Sequence, residues 1–447
     1  MPIELVFVIG LAVLLFLCLK VKVNAFMSLL GAALTMGVLS GMGGPATVST
    51  IASGFAGTVE DIGIVIIFGI LLGNYLDAAH ATNRMAMDTV RLVGQKRSGL
   101  AMAITGYIVS IPVFSDAGFV ILSPLVKALH RKTRVPLAIL AVSLSAGLLA
   151  THVYVPPTPG PLAAAGLLGI DIGDAILYGG FAAIFMTLAG WLFSEIYFRN
   201  KPDSYYTYRD EEARASVENG DDATVDTSNM PGTLASLLPL LLPILLIIAN
   251  TTCSMLLPEG SAILNVTSFI GDPNIALPIG ALLAIVMLYK DLGKDTVLKL
   301  MESSLKDAGP IVFTTAAGGA LGAVLKASGA GASIADMVSS IGLPFILIPF
   351  VISAVLKVVQ GSGTVAVTTA ATICAPIAAS LGLNPLLIFM ASGAGARACC
   401  HVNDSYFWVY TNCMGFDMKT GLKTLSISNV AMSLGGLVAT FIASLWL

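Results

Sequence analysis

The chain of 447 residues is 56% hydrophobic and 11% charged, with a mean hydropathy of +0.89. Soluble domains carry roughly a quarter of their residues charged, so this composition excludes an ordinary water-solvated globule and leaves lipid as the main solvent. The formal net charge of −3 selects neither for nor against a polyanion, and no nucleic-acid partner is expected of a lipid-solvated chain.

The first residues, MPIELVFVIGLAVLLFLCLK, have no basic leader region and no small-residue cleavage site, so the stretch reads as a first membrane helix. A span needs about 20 mostly apolar residues. The expected spans are 3–19, 24–42, 54–76, 136–168, 175–198, 233–256, 275–289, 307–325, 385–412 and 424–446. Two further apolar stretches, 99–130 and 345–380, are interrupted by polar and glycine residues. If the first helix enters from outside, 20 of the 23 Lys and Arg residues fall on the inner face, as the positive-inside rule requires. That sorting holds only if 99–130 and 345–380 are re-entrant hairpins. Arms of about 15 residues would each be roughly 22 Å long. Both termini are then external. The three remaining cations are Lys326, Lys357 and Arg397, the last two near mid-membrane.

The halves repeat. At an offset of 249, Pro136, Leu137, Ile139, Ser143, His152 and Val153 align with Pro385, Leu386, Ile388, Ser392, His401 and Val402, and Gly73, Leu76 and Ala78 align with Gly322, Leu325 and Ala327. The expected fold is an all-α polytopic membrane protein: two inverted repeats, 1–198 and 233–447, with about ten transmembrane helices and two re-entrant hairpins. The joining segment 199–232 holds 12 of the 49 charges with few hydrophobes, and reads as a mobile cytoplasmic linker. Inverted repeats with broken helices are a transporter architecture, with the substrate near the midplane.

Four polar breaks mark that level. The first hairpin turns at Ser115-Asp116-Ala117-Gly118, the next helix breaks over Thr151–Gly160, the second hairpin turns at Gln360-Gly361-Ser362-Gly363-Thr364, and the last break is His401-Val402-Asn403-Asp404-Ser405. Freed backbone amides and half-helix N-termini there offer positive dipole ends to an anion. Candidate substrate ligands are Ser115, Asp116, Gly118, His152, Thr158, Gln360, Ser362, Gly363, Thr364, Arg397, His401, Asn403, Asp404 and Ser405. Asp116 and Asp404 are intramembrane carboxylates, functional by default, and with His152 and His401 they are candidates for proton coupling. Lys357 and Arg397 suit either a substrate carboxylate or the neutralisation of Asp116 and Asp404. Tyr406, Phe407 and Trp408 read as packing residues. The six cysteines show no CxxC spacing, so neither a disulfide framework nor a metal site is expected. Ser362 with His401 would be needed for an intramembrane serine hydrolase, but no oxyanion hole is marked, and no enzyme is expected. Broken helices paired by inversion favour alternating access over a passive anion channel.

The breaks also resemble those of the gluconate:proton symporter (gluconate permease) family, within a wider ion-transporter superfamily. The likeness is carried by Ile111-Pro112-Val113-Phe114-Ser115-Asp116-Ala117-Gly118-Phe119, by Thr151-His152 through Pro156-Pro157-Thr158-Pro159-Gly160-Pro161, by Gln360-Gly361-Ser362-Gly363-Thr364-Val365-Ala366, and by His401-Val402-Asn403-Asp404. It extends over nearly the whole chain and is weakest in the linker. The resemblance implies proton-coupled uptake of sugar acids such as gluconate, or of related hydroxy- or amino-carboxylates, by an elevator-like motion against a scaffold that forms a homodimer in the inner membrane. No cofactor is implied beyond the coupling proton. Matched positions are Asp116, His152, Gln360, Ser362, Thr364, His401, Asn403 and Asp404. Thr158 stands where gluconate permeases have a histidine, replacing a titratable donor with a hydroxyl, and Arg397 falls outside the matched runs. Some superfamily members couple to sodium, and Ser115, Ser362, Thr364 and Asn403 would suit such a site.

Overall fold

The computed structural model describes residues 2–21, 23–94, 97–218, 230–258, 261–329, 344–381, 383–402 and 404–447. Its helices in chain order are α1 (Ile3–Phe16), α2 (Ala25–Leu39), α3 (Gly44–Ala78), α4 (Ala81–Val93), α5 (Ser98–Val109), α6 (Ser115–Thr133), α7 (Leu137–Tyr154), α8 (Pro159–Leu168), α9 (Ile172–Phe198), α10 (Glu211–Glu218), α11 (Thr233–Leu256), α12 (Ala262–Ile270), α13 (Pro273–Leu292), α14 (Lys294–Ala327), α15 (Leu347–Gln360), α16 (Gly363–Leu381), α17 (Pro385–Gly395), α18 (Ser405–Met414) and α19 (Met418–Ala443). Among the described residues there is no strand, as the expected all-α class requires.

Seven helices are long and apolar enough to cross a membrane, or eight if the bent pair α12–α13 is one span. The sequence suggests about ten. Of the ten expected spans, α1 and α2 are shorter apolar helices, 385–412 is interrupted between Gly395 of α17 and Ser405 of α18, and 275–289 counts only within the bent pair, whereas α16 of the second hairpin is itself among the seven. Helical hairpins occupy both interrupted stretches, 99–130 and 345–380, with unequal arms: 12 and 19 residues in α5 and α6, 14 and 19 in α15 and α16. The shorter first arm, roughly 18 Å long, cannot cross about 30 Å of hydrocarbon.

The broken helix α7–α8 lies at the centre. Its most apolar stretch is 100% buried in protein, against 28% for the more hydrophobic α11 at the rim. Around it, α5, α6, α9, α16 and α19 pack as one body, with α15 and α17 completing the second hairpin's surroundings. The long α3 and α14 lie against each other outside this body, flanked by α2 and α13. Element starts recur through the two halves: Ser98 of α5 and Leu347 of α15 are 249 residues apart, and Gly44 of α3 and Lys294 of α14 are 250 apart.

The linker departs from its expected mobile state. Residues 201–218 fold as a strap on the loop between α18 and α19: Arg209 N donates to Gly415 O (2.9 Å), Asp417 N to Thr207 O (3.0 Å) and Thr207 N to the Thr420 hydroxyl (2.8 Å). Tyr206 and Tyr208 pack on Phe416, and Arg131 at the end of α6 donates to Val217 O. Three tyrosines in Tyr205–Tyr208 bring the apolar area that the charge count conceals. Asp210 accepts from the Ala213 amide (2.6 Å), which with Arg209 holds its carboxyl below the usual range. The rest of the expected linker includes 219–229, which lies outside the described residues.

The strap predicts that the Thr207, Arg209 and Asp417 amides exchange hydrogen at least about ten-fold more slowly than an unstructured peptide. Exchange at the unstructured rate in the detergent-solubilised protein would show that the strap is undocked.

Candidate functional site

Each break has a local cause. Val155 precedes Pro156 and is forced out of the helical region (φ −112, ψ 114), which ends α7 one residue earlier. Pro159 then opens α8 at a position where its missing N–H costs nothing. The expected break over Thr151–Gly160 is therefore shorter, with Thr151 and His152 in the last turn of α7. The first hairpin turns over 110–114, and Ser115 to Gly118 form the opening turn of α6 instead of the bend. At the second hairpin, Gly361 takes the left-handed conformation (φ 77) that closes α15, and the Ser362 hydroxyl accepts from Val365 N (3.3 Å) to open α16. The last break starts earlier than expected, directly after Gly395, so Arg397 sits within it. No proline marks this end. The Ala-rich sequence would continue as a helix, and close packing of Gly395 on the α15 backbone accompanies its end.

These ends converge on a cavity of about 350 Å³, lined by Ser115, Asp116, His152, Gln360, Ser362, Gly363, Thr364, Arg397, Asp404 and Ser405, together with Phe114, Lys357, Gly361 and Tyr406. Ten expected ligands are thus brought together. Three others are not: Gly118 packs towards Leu148, Thr158 donates to Val155 O (2.6 Å) and His152 O (3.2 Å) within the α7–α8 turn, and His401 Nε2 meets Val358 O (2.9 Å) away from the cavity. Asn403 lies outside the described residues.

Lys357 and Asp404 form a buried ion pair, and Lys357 Nζ also donates to Gly361 O (2.5 Å). Asp404 Oδ1 caps α18 by accepting from Tyr406 N (3.0 Å). The two roles open to the mid-membrane cations are therefore divided. Lys357 neutralises Asp404. Arg397, 3% exposed, has no ion pair among the described residues, and its Nε is without a partner. It lies against the start of α16, where a Cβ on Gly363 would be 2.7 Å from its Nη2, so only glycine leaves the guanidinium its place.

Three helix N-termini reach this cavity, at Ser115 of α6, Gly363 of α16 and Ser405 of α18. Two already hold a carboxylate of their own, Asp116 in the first turn of α6 and Asp404 at the cap of α18. The third, α16, has no acidic residue in its first turn and has Arg397 beside it. A positive dipole end next to an unpaired guanidinium is an anion seat. The same cavity is lined by residues whose Asp116 Oδ1, Gln360 Oε1 and His152 Nδ1 have no hydrogen-bond partner among the described residues. Asp116 Oδ2 accepts from the Ser405 hydroxyl (3.2 Å), joining the first hairpin to the last break, and His152 Nε2 stands 3.4 Å from the Thr364 hydroxyl.

The profile of the GntP family permeases matches residues 1–446. The chain belongs to that family. It is similar to an uncharacterized permease of Haemophilus influenzae, at 38% identity over 98% of this chain and 91% of that one, and to the high-affinity gluconate transporter of Escherichia coli, at 31% identity over 100% of both. The fold matches the Alcanivorax borkumensis YdaH transporter with a TM-score of 0.68 at 15% identity, covering 94% of this chain and 98% of that one. This family member is a multi-pass inner-membrane permease of the secondary transporter kind, not an enzyme, which sets aside a hydrolase built on Ser362.

Sequence reading left Lys357 without a definite role and did not mark Phe114, Gly361 or Tyr406 as lining residues. Phe114 and Tyr406 directly adjoin the named candidates Ser115 and Ser405, a signal in the sequence for their place at the cavity. Replacing Lys357 by Met alone strands a buried carboxylate and is expected to cost roughly 3–5 kcal/mol, whereas Lys357→Met with Asp404→Asn recovers most of the loss. Thermal melting of the purified variants checks both, and equal melting of the single and double variants would contradict the pairing.

Proposed function

We propose that this permease carries a small organic anion by proton-coupled symport, with sugar acids such as gluconate or related hydroxy- or amino-carboxylates as cargo. The observation that carries the proposal is the N-terminus of α16, without a carboxylate of its own, beside Arg397, which has no ion pair among the described residues. Asp116 and Gln360 present acceptors to hydroxyl or ammonium groups on the same substrate. The high-affinity gluconate transporter of E. coli among the relatives supports this cargo class.

Charge counting supports a coupled cation. The cavity has two carboxylates, Asp116 and Asp404, and two cations, Lys357 and Arg397. A monoanion leaves this set at −1, and one proton returns it to zero, which lowers the cost of moving the loaded site through hydrocarbon. Asp116 is the preferred proton carrier, because Asp404 is held by Lys357 while Asp116 keeps one oxygen free. We further propose that the two halves are inverted repeats, that the central body slides in an elevator-like motion against α3, α14 and their neighbours, and that the protein is a homodimer.

Uptake into proteoliposomes under an imposed pH gradient, with and without sodium, separates proton from sodium coupling. Asp116→Asn should abolish gradient-driven uptake yet retain anion counterflow, and Arg397→Gln should weaken anion affinity roughly 10- to 100-fold. Undiminished proton-driven uptake by Asp116→Asn would remove its assigned role. For the topology, cysteines at Arg97 and Arg131 should label from one face of the membrane; labelling from opposite faces would refute the first re-entrant hairpin.

A further inference from the structure

The ammonium group of Lys357 is fully buried and ends on two oxygens from different elements. One is the Gly361 carbonyl (2.5 Å), where α15 terminates at the hairpin tip; the other belongs to the Asp404 carboxylate at the last break. The C-terminal end of a helix carries partial negative charge. A main-chain carbonyl from an unwound tip, combined with a carboxylate, is a donor set for a hard cation. Space for water adjoins it, because Lys357, Gly361 and Asp404 all line the cavity.

Nothing in the hairpin architecture itself requires this pair. At the offset of 249, Lys357 and Asp404 align with Ile108 and Val155, so no ion pair stands at the corresponding positions of the first half. The ionic arrangement is thus an addition to one half, placed where helix end and carboxylate together attract a cation.

We infer that the Lys357 ammonium is a tethered cation filling a seat that would otherwise take sodium and, on the symport reading proposed above, that this half of the site runs without sodium for that reason. The side chain brings a covalently held ammonium to Asp404 and Gly361, fixes the second hairpin tip to the last break, and excludes a dissociable ion. Removing the side chain opens the seat while leaving its oxygens in place.

The test is thermal melting of the full-length protein in sodium chloride against choline chloride. Wild type should melt at the same temperature in both salts. Lys357→Ala should be destabilised in choline and gain about 2 °C or more in sodium. Lys357→Met with Asp404→Asn, lacking the carboxylate, should show no sodium effect. Equal melting of Lys357→Ala in the two salts would overturn the inference, as would a sodium gain in wild type. Should Lys357→Ala fail to fold in either salt, Lys357→Gln takes its place in the same comparison, with the same outcomes decisive. Melting needs no uptake, so a failure of the symport reading would appear as lost transport with the sodium response intact.

Discussion

Within hydrocarbon a free amide or carbonyl costs several kcal/mol, so a chain that unwinds its helices at mid-depth must enclose the unwound ends in protein. This constraint orders the whole molecule. The α7–α8 pair is the most thoroughly buried of the candidate spans among the described residues, although its hydropathy is below that of the rim helix α11. Two helical hairpins bring their tips to it, and α3 and α14 stand outside as long continuous helices. Helix ends that would be liabilities against lipid become polar groups around one cavity.

Those ends then decide the electrostatics. Each helix N-terminus facing the cavity favours negative charge, and the sequence supplies a carboxylate to α6 and to α18 but none to α16. Of two buried cations, one is spent on Asp404 and the other has no protein counterion among the described residues. The cavity thus combines a guanidinium without an ion pair, at Arg397, with free acceptor oxygens on Asp116 and Gln360 among the described residues. Membership of a permease family and a transporter-like fold are consistent with a cavity organised in this way.

The strap adds a link at one end of the central body. Residues 201–218 bond to the α18–α19 loop and to α6, all within that body, before the chain proceeds to α11 on its outside. Its docking depends on tyrosines and on main-chain hydrogen bonds, which a count of charges does not reveal. Segments rich in charge can still dock where a few aromatic residues supply apolar area.

Composition by itself determined the membrane setting and the all-helical class, and the polar and glycine interruptions marked where the helices end around the cavity. Lipid imposes the first two on any chain of this hydropathy, and prolines and glycines mark most of the breaks. The sequence also named ten of the cavity's lining residues, because polar groups at that depth are rare. It did not determine which cation meets which carboxylate, since Lys357 and Asp404 are 47 positions apart and either cation could reach either partner on paper. Nor did it locate the end of α17 or remove Gly118, Thr158 and His401 from the cavity. Those outcomes depend on three-dimensional packing: the approach of Gly395 to α15, the closure of the α7–α8 turn on its own carbonyls, and the side of a helix end on which a ring falls. Only the tertiary structure decides them, because a side chain's partner is set by distance through space, whereas helix formation in lipid is set locally along the chain.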